Sequence, residues 1–205
     1  MNDYFELLIE RIVNSLLENE FIENSELDAY RYGIEIVYLK SIHYGSYFII
    51  ACLMKKIPEF MVVFSVFYLL RRDTGGFHAK TRLGCYLFSC ITVWIFLLCT
   101  NLQIAKSLML AITGLAICLF FILGTVETKN RKLDEEDLCR LHHRLIKSTN
   151  ILMLLYIVCG ILGYWDLMKL YTLGVAMNMF LFLLGKIQSM AQLNGESNKG
   201  KEIVG

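Results

Sequence analysis

Apolar residues along this chain arrive in blocks, separated by short polar or charged breaks. Ahead of the first block, residues 3–22 follow helical spacing. Phe5, Leu8, Ile9, Ile12, Val13 and Leu16 recur every three or four positions, with Glu6, Glu10 and Asn14 opposite. This predicts an amphipathic helix that lies along a membrane interface, docks on a partner helix, or packs on the protein's own loops. Two short apolar runs follow, 42–54 and 59–70, separated by Lys55-Lys56-Ile57-Pro58. Each is shorter than the roughly 18–20 residues that a helix needs to cross a bilayer. They are two tilted spans or a re-entrant hairpin, with two spans the favoured reading. Extending the first run back through 34–39 brings Glu35, Lys40 and His43 toward the bilayer, where such groups face a polar interior or snorkel to the interface. Four clearer runs, 83–100, 107–126, 149–165 and 170–187, are each close to the length of a span, and a tight turn at Tyr164-Trp165-Asp166 joins the last two. The expected fold is an all-α integral membrane protein: a six-helix transmembrane bundle, or four spans plus a short helical hairpin, with an N-terminal amphipathic helix. The segments are 1–33 interfacial, 34–190 transmembrane and 191–205 a disordered polar tail.

Composition supports the membrane reading. Hydrophobic residues make up 56% and charged residues 19%, against about 45–50% and about 25% in soluble domains. Mean hydropathy is +0.52. A net charge of +1 gives no sign of a nucleic-acid partner. The placement of charge is more informative. Arg71, Arg72, Lys80 and Arg82 precede the third run. Lys129, Arg131, Lys132, Arg140, Arg144 and Lys147 precede the fifth, and Lys186, Lys199 and Lys201 follow the last. Lys55, Lys56, Lys106 and Lys169 lie at the opposite ends. Because lysine and arginine in short loops resist translocation, both termini and both basic loops are expected in the cytoplasm. The acid-rich opening of the chain lacks a basic region leading into an apolar core, so no cleavable signal peptide is expected.

The seven cysteines form no CxxC pair and sit mostly inside apolar runs, where a thiol behaves as a small hydrophobe. One is placed differently. Residues 71–90 carry Gly75-Gly76-Phe77-His78 in a loop and then Cys85 at the start of an apolar run. A cysteine attacks as thiolate, which is scarce in a free thiol at neutral pH. A histidine within reach removes the proton, and the cations Arg71, Arg72, Lys80 and Arg82 could stabilise the anion. On a continuous helix His78 and Cys85 would share a face but stand ~10 Å apart along the axis. A catalytic pair therefore requires the segment to break and fold back, which Gly75, Gly76 and Gly84 permit. Without that break, both residues are ordinary packing and interface groups.

The string Arg71, Gly75-Gly76-Phe77-His78-Ala79, Cys85 closely resembles the signature of the AgrB family of bacterial quorum sensing, and the chain length, multi-span layout and motif position are similar over most of the chain. The resemblance implies a membrane cysteine endopeptidase that processes a small precursor peptide, AgrD, through a thioester on Cys85 into a thiolactone or lactone. It assigns His78 as base, Cys85 as nucleophile, and Arg71, Gly75 and Gly76 as supporting residues. It implies no cofactor, a bacterial plasma-membrane location and a homodimer. The oxyanion donor is expected to be the Cys85 backbone amide or a nearby arginine; Asp73 is left open between orienting His78 and an ordinary loop role. The 129–147 loop could receive an acidic part of the substrate, or enforce topology and bind anionic lipid headgroups. Cys139, His142 and His143 lack a matching second ligand set, so no metal site is expected. The competing class is a non-catalytic transporter or docking protein for a small peptide, and a lipid-directed thiol acyltransferase is a third. A substrate pathway usually carries several intramembrane charges; the four clear runs carry almost none, which favours the peptidase.

Overall fold

The computed structural model describes residues 2–19, 21–77, 79, 81–124 and 135–202. Among these the fold is helical: α1 Asn2–Glu18, α2 Leu27–Leu53, α3 Ile57–Thr74, α4 Arg82–Cys99, α5 Lys106–Leu123, α6 Glu135–Ile161 and α7 Trp165–Glu202. The chain divides into two compact units, Met1–Ile49 and Ile50–Gly205, with the boundary inside α2.

In the first unit, α1 buries Ile9 and Val13 with Ile22, against Leu16, Leu17, Leu27 and Ile34. Burying each such side chain contributes about 1.5–3 kcal/mol, and Arg31 adds an exposed ion pair to Glu10 at 2.8 Å. α1 thus packs both on the connection that follows it, through Ile22, and on the start of α2, through Leu27 and Ile34. Leu8 and Ile12 form a second stripe that remains exposed. The first short apolar run proves to be the end of a continuous 27-residue helix, roughly 40 Å long at 1.5 Å per residue. Within it, His43 Nδ1 and the Tyr47 hydroxyl share a hydrogen bond at 3.1 Å.

In the second unit, the turn after α2 is closed by the Lys56 N–H donating to the Ala51 carbonyl at 2.9 Å, with Lys55 at φ +56°. Pro58 in the first turn of α3 forgoes only an N–H that has no partner within a helix. α3 extends beyond the expected 59–70 at both ends, so each of the two short runs is part of a longer helix. Among the described residues, five segments are long and apolar enough to cross a membrane: Asn24–Leu53, Arg82–Cys99, Lys106–Leu123, Leu138–Ile161 and Trp165–Ala191. α3 falls outside that set because Glu59, Arg71, Arg72 and Asp73 lie within its 18 residues.

The central helix is α7. Of its spanning window 61% is buried, against 17% to 22% for those in α4, α5 and α6, which leave their apolar faces to lipid. α7 packs against α3, α5, α6 and α4. The core runs from Met168, Tyr171, Val175 and Phe182 of α7 to Val66 and Leu70 of α3, Ala116 and Phe120 of α5, and Leu145, Leu152 and Tyr156 of α6. Thr172 sits at the centre of a small buried hydrogen-bond cluster, the pairing that a low-dielectric interior favours. Thr172 donates to the Met168 carbonyl at 2.9 Å and lies 3.2 Å from Thr113 and 3.4 Å from the Tyr156 hydroxyl. α6 starts at Glu135, well before the expected 149, because its first turns are amphipathic. They bury Leu141 and Leu145 while Arg140 pairs with Glu136 at 2.6 Å on the exposed face. Gly163, at φ +77°, makes the turn into α7. α7 then runs to Glu202, through the polar stretch set apart above as a tail.

At Gly174 α7 lies close against α3. A Cβ there would lie 2.7 Å from the Val63 carbonyl oxygen and 2.9 Å from Val66 Cβ. Gly174→Ala is therefore expected to destabilise the bundle by about 1–3 kcal/mol through overpacking. The check is an earlier thermal transition in detergent, and an unchanged transition would contradict the close approach.

Candidate active site at the α3–α4 loop

The segment between α3 and α4 breaks where the glycines allow it. Gly75 caps α3 at φ +67° and donates its N–H to the Arg71 carbonyl at 3.2 Å; Gly76 follows at φ +144°. Both conformations disfavour a residue with a Cβ. The Arg71 side chain turns back over this bend. Its Nη1 donates to the Gly75 carbonyl at 2.6 Å and its Nη2 to the Phe77 carbonyl at 3.0 Å. Arg71 thus holds two loop carbonyls with one charged fork, each bond contributing about 1.5–3 kcal/mol.

The loop then lies against α7. The Phe77 N–H donates to the Leu181 carbonyl at 2.9 Å. The next turn of α7 offers Gly185, where an added Cβ would stand 2.5 Å from the Gly76 carbonyl carbon and 2.7 Å from the Phe77 nitrogen. One turn before Leu181, Asn178 Nδ2 donates to the Thr74 hydroxyl at 3.2 Å, and Thr74 donates to the Leu70 carbonyl at 3.0 Å. Thr74 and Asn178 are fully buried.

From α7 the loop returns toward α4. The Phe77 ring packs on Phe88 with centroids 5.0 Å apart, and Phe88 stacks on Phe180 at 6.5 Å. Phe88 lies one helical turn beyond Cys85. The chain re-enters helix at Thr81, whose extended N-cap hydroxyl accepts from the Gly84 N–H at 3.1 Å. Cys85 is half-buried near the start of α4. The break required of a catalytic pair is therefore present. His78 and Lys80 lie outside the described residues, as do Glu127, Lys129, Arg131, Lys132 and Asp134 of the second basic loop.

The other residues singled out in the sequence take the following places. The Cys85 N–H donates to the Thr81 carbonyl at 3.0 Å inside α4, and Arg71 is committed to the loop carbonyls. Asp73 is completely buried in the last turn of α3. It accepts from Arg72 Nε and Nη2, each at 3.2 Å, and pairs with Arg144 of α6 at 3.4 Å. The Ser148 hydroxyl lies 3.5 Å away. Asp73 is accordingly a clamp between α3 and α6. Of the four cations expected around the thiol, Arg71 and Arg72 serve loop and clamp, while Arg82 sits exposed in the first turn of α4. Cys139, His142 and His143 lie along α6, and no cluster of three metal-ligating groups forms among the described residues.

Sequence reasoning missed Leu181, Gly185 and Asn178, which lie about a hundred residues from the loop they hold. The available signal was a glycine inside an otherwise apolar span, a common mark of close backbone approach in membrane helices. Gly160-x-x-Gly163, singled out instead, combines a contact with Met168 and a turn glycine.

No curated protein and no solved structure matches the chain. A family model described as AgrB, Accessory gene regulator B, matches residues 9–182, a range that takes in α3, the loop, α4 and the Leu181 carbonyl. The chain therefore belongs to the AgrB family, membrane cysteine endopeptidases that process AgrD into the autoinducing peptide of quorum sensing.

Proposed function

We propose that Cys85 is the nucleophile and His78 the base of this peptidase, with Arg71, Gly75 and Gly76 shaping the loop between them. The observation that carries this reading is the contact of Phe77 with Phe88. It draws the residue preceding His78 back to the first turns of the helix that bears Cys85. His78 takes the thiol proton, and the sulfur attacks one backbone carbonyl of an AgrD-like precursor. The leaving amine departs with the proton held by His78, and the retained peptide stays on Cys85 as a thioester. A cysteine or serine side chain of that peptide then attacks the thioester, Cys85 regains its proton, and a thiolactone or lactone ring is released. The site's position at the mouth of an apolar bundle favours ring closure, because water would divert the thioester to a linear acid.

The same reading puts both termini and the loop in the cytoplasm of a bacterial cell, in its plasma membrane, with the protein acting as a homodimer. Charge supports the orientation. The contacts gather Arg71, Arg72, Arg82 and Arg144 at one end of the second unit. Lys56, bonded to Thr100 and to Asn101 (2.6 Å), and Lys106, 3.6 Å over the Trp165 ring, mark the other. The excess lies on the loop side.

Mass spectrometry of membranes co-expressing the chain with an AgrD-like precursor tests the mechanism. The expected result is a peptide adduct on Cys85 that hydroxylamine removes, together with a product one water lighter than the linear acid. Linear acid alone, with no adduct on Cys85, would sink the thioester route.

A further inference from the structure

α7 has no residue in the catalytic pair, yet the backbone of its one turn from Leu181 to Gly185 meets the histidine-bearing loop. The Leu181 carbonyl already lies in a helix, where the N–H four residues on is its ordinary donor. Its second lone pair receives the Phe77 N–H at 2.9 Å. A side chain at 185 would stand between that carbonyl and the loop; glycine leaves the space open. The fit is close, with the position of a Gly185 Cβ falling 2.5 to 2.7 Å from three consecutive backbone atoms of Gly76 and Phe77. Those atoms are backbone, fixed on one side by Arg71 and on the other by the Phe77–Phe88 ring contact, so they cannot yield as the tip of a side chain would.

We propose that Gly185 is a positioning residue for the reaction. With the Leu181 carbonyl it forms a seat in α7, closed by the Phe77–Phe88 contact, that sets the approach of His78 to Cys85. The proposal rests on the reading of His78 and Cys85 as base and nucleophile. Gly185 touches neither; it acts through the loop. A methyl group at 185 lifts the Gly76–Phe77 peptide by the order of an ångström, and misplacement on that scale lowers catalysis by about 10²-fold. The bundle core formed by α3, α5, α6 and α7 is untouched by the change.

The test is the rate of iodoacetamide alkylation at Cys85 in intact membranes, read on the Cys85 peptide by mass spectrometry over a pH series. The samples are wild type, His78→Ala, Gly185→Ala and Gly174→Ala, alongside kcat and KM for precursor cleavage. Wild type is expected to react faster than His78→Ala at neutral pH. Gly185→Ala is expected to follow the His78→Ala profile and to lose about 10²-fold in kcat with KM little changed. Gly174→Ala, which wedges α3 from α7 three turns away, should lower the thermal transition and keep the wild-type profile. A wild-type profile in Gly185→Ala overturns the seat, as does an equal shift in Gly174→Ala, which would reduce Gly185 to general packing. Identical profiles in wild type and His78→Ala would instead remove the catalytic pair itself, and the seat with it. If Gly185→Ala fails to accumulate, Phe88→Ala decides, because it releases the Phe77 ring without a substitution in α7 and leaves the backbone contacts at Leu181 and Gly185 in place. The His78→Ala profile then supports the seat, and the wild-type profile overturns it.

Discussion

Replacing Cys85 by alanine is expected to reduce precursor cleavage by about 10⁴-fold or more, to the background of the assay, while the protein accumulates at its normal level. The magnitude follows from the role. Removing a nucleophile eliminates the covalent route entirely, and what remains is binding and positioning around a reaction the site can no longer start. Serine at 85 should do little better, since a hydroxyl gives up its proton far less readily than a thiol and the loop offers one histidine rather than an evident relay. His78→Ala removes only proton transfer, a loss of about 10²–10⁴-fold, and raising the pH should restore part of it by supplying thiolate without a base. The two variants are thus separable by their response to pH as well as by size. Cys85 is half-buried near the start of α4, away from the buried core, so stability is not expected to confound the comparison. Cleavage that persists in Cys85→Ala would transfer the nucleophile to another residue.

The second large effect is expected at Gly76. Alanine there must adopt φ +144°, and its Cβ would lie 1.6 Å from Arg71 Nη1 and 2.9 Å from the Leu181 carbonyl oxygen. The arginine tip can move aside, but only by abandoning the Gly75 and Phe77 carbonyls. The backbone strain is about 1–3 kcal/mol, and the lost charged bonds add to it. The loop has no reason to keep its path under that load. Processing should fall by about 10²–10³-fold with α4 and the bundle intact, as measured by peptide release and by protein recovered in the membrane. Gly76→Ala with normal processing would mean that the loop is remade before catalysis and that the bend described here is not its working form.

How much of this could be read from residues alone varied with how each helix meets its surroundings. α4 and α5 face lipid over most of their length, so their apolar runs reveal them directly. α3 hid behind its charged end: Arg71, Arg72 and Asp73 look like a loop until Gly75 and Asp73 are seen to terminate and anchor a helix. The first half of α6 hid for a related reason, since Glu135 to Asn150 buries one narrow stripe and solvates the rest. The glycine pair announced a break in the chain, and the break is there. Its partner could not be seen, because nothing in residues 71–85 points across a hundred positions to Leu181 and Gly185. Resemblance implies Arg71 as a supporting residue; its hydrogen bonds to the Gly75 and Phe77 carbonyls are visible only in the structure.

The seat on α7 distributes tolerance to sequence drift unevenly. Every amino acid carries a carbonyl, so the bond at 181 is blind to the side chain present, and any residue that fills the same core volume can serve. Position 185 admits glycine only. A lineage may therefore exchange Leu181 for another apolar residue without consequence for the loop, whereas Gly185 is held by a constraint that originates in a different helix and would look, on α7 itself, like an unexplained weakness in an otherwise well-formed span.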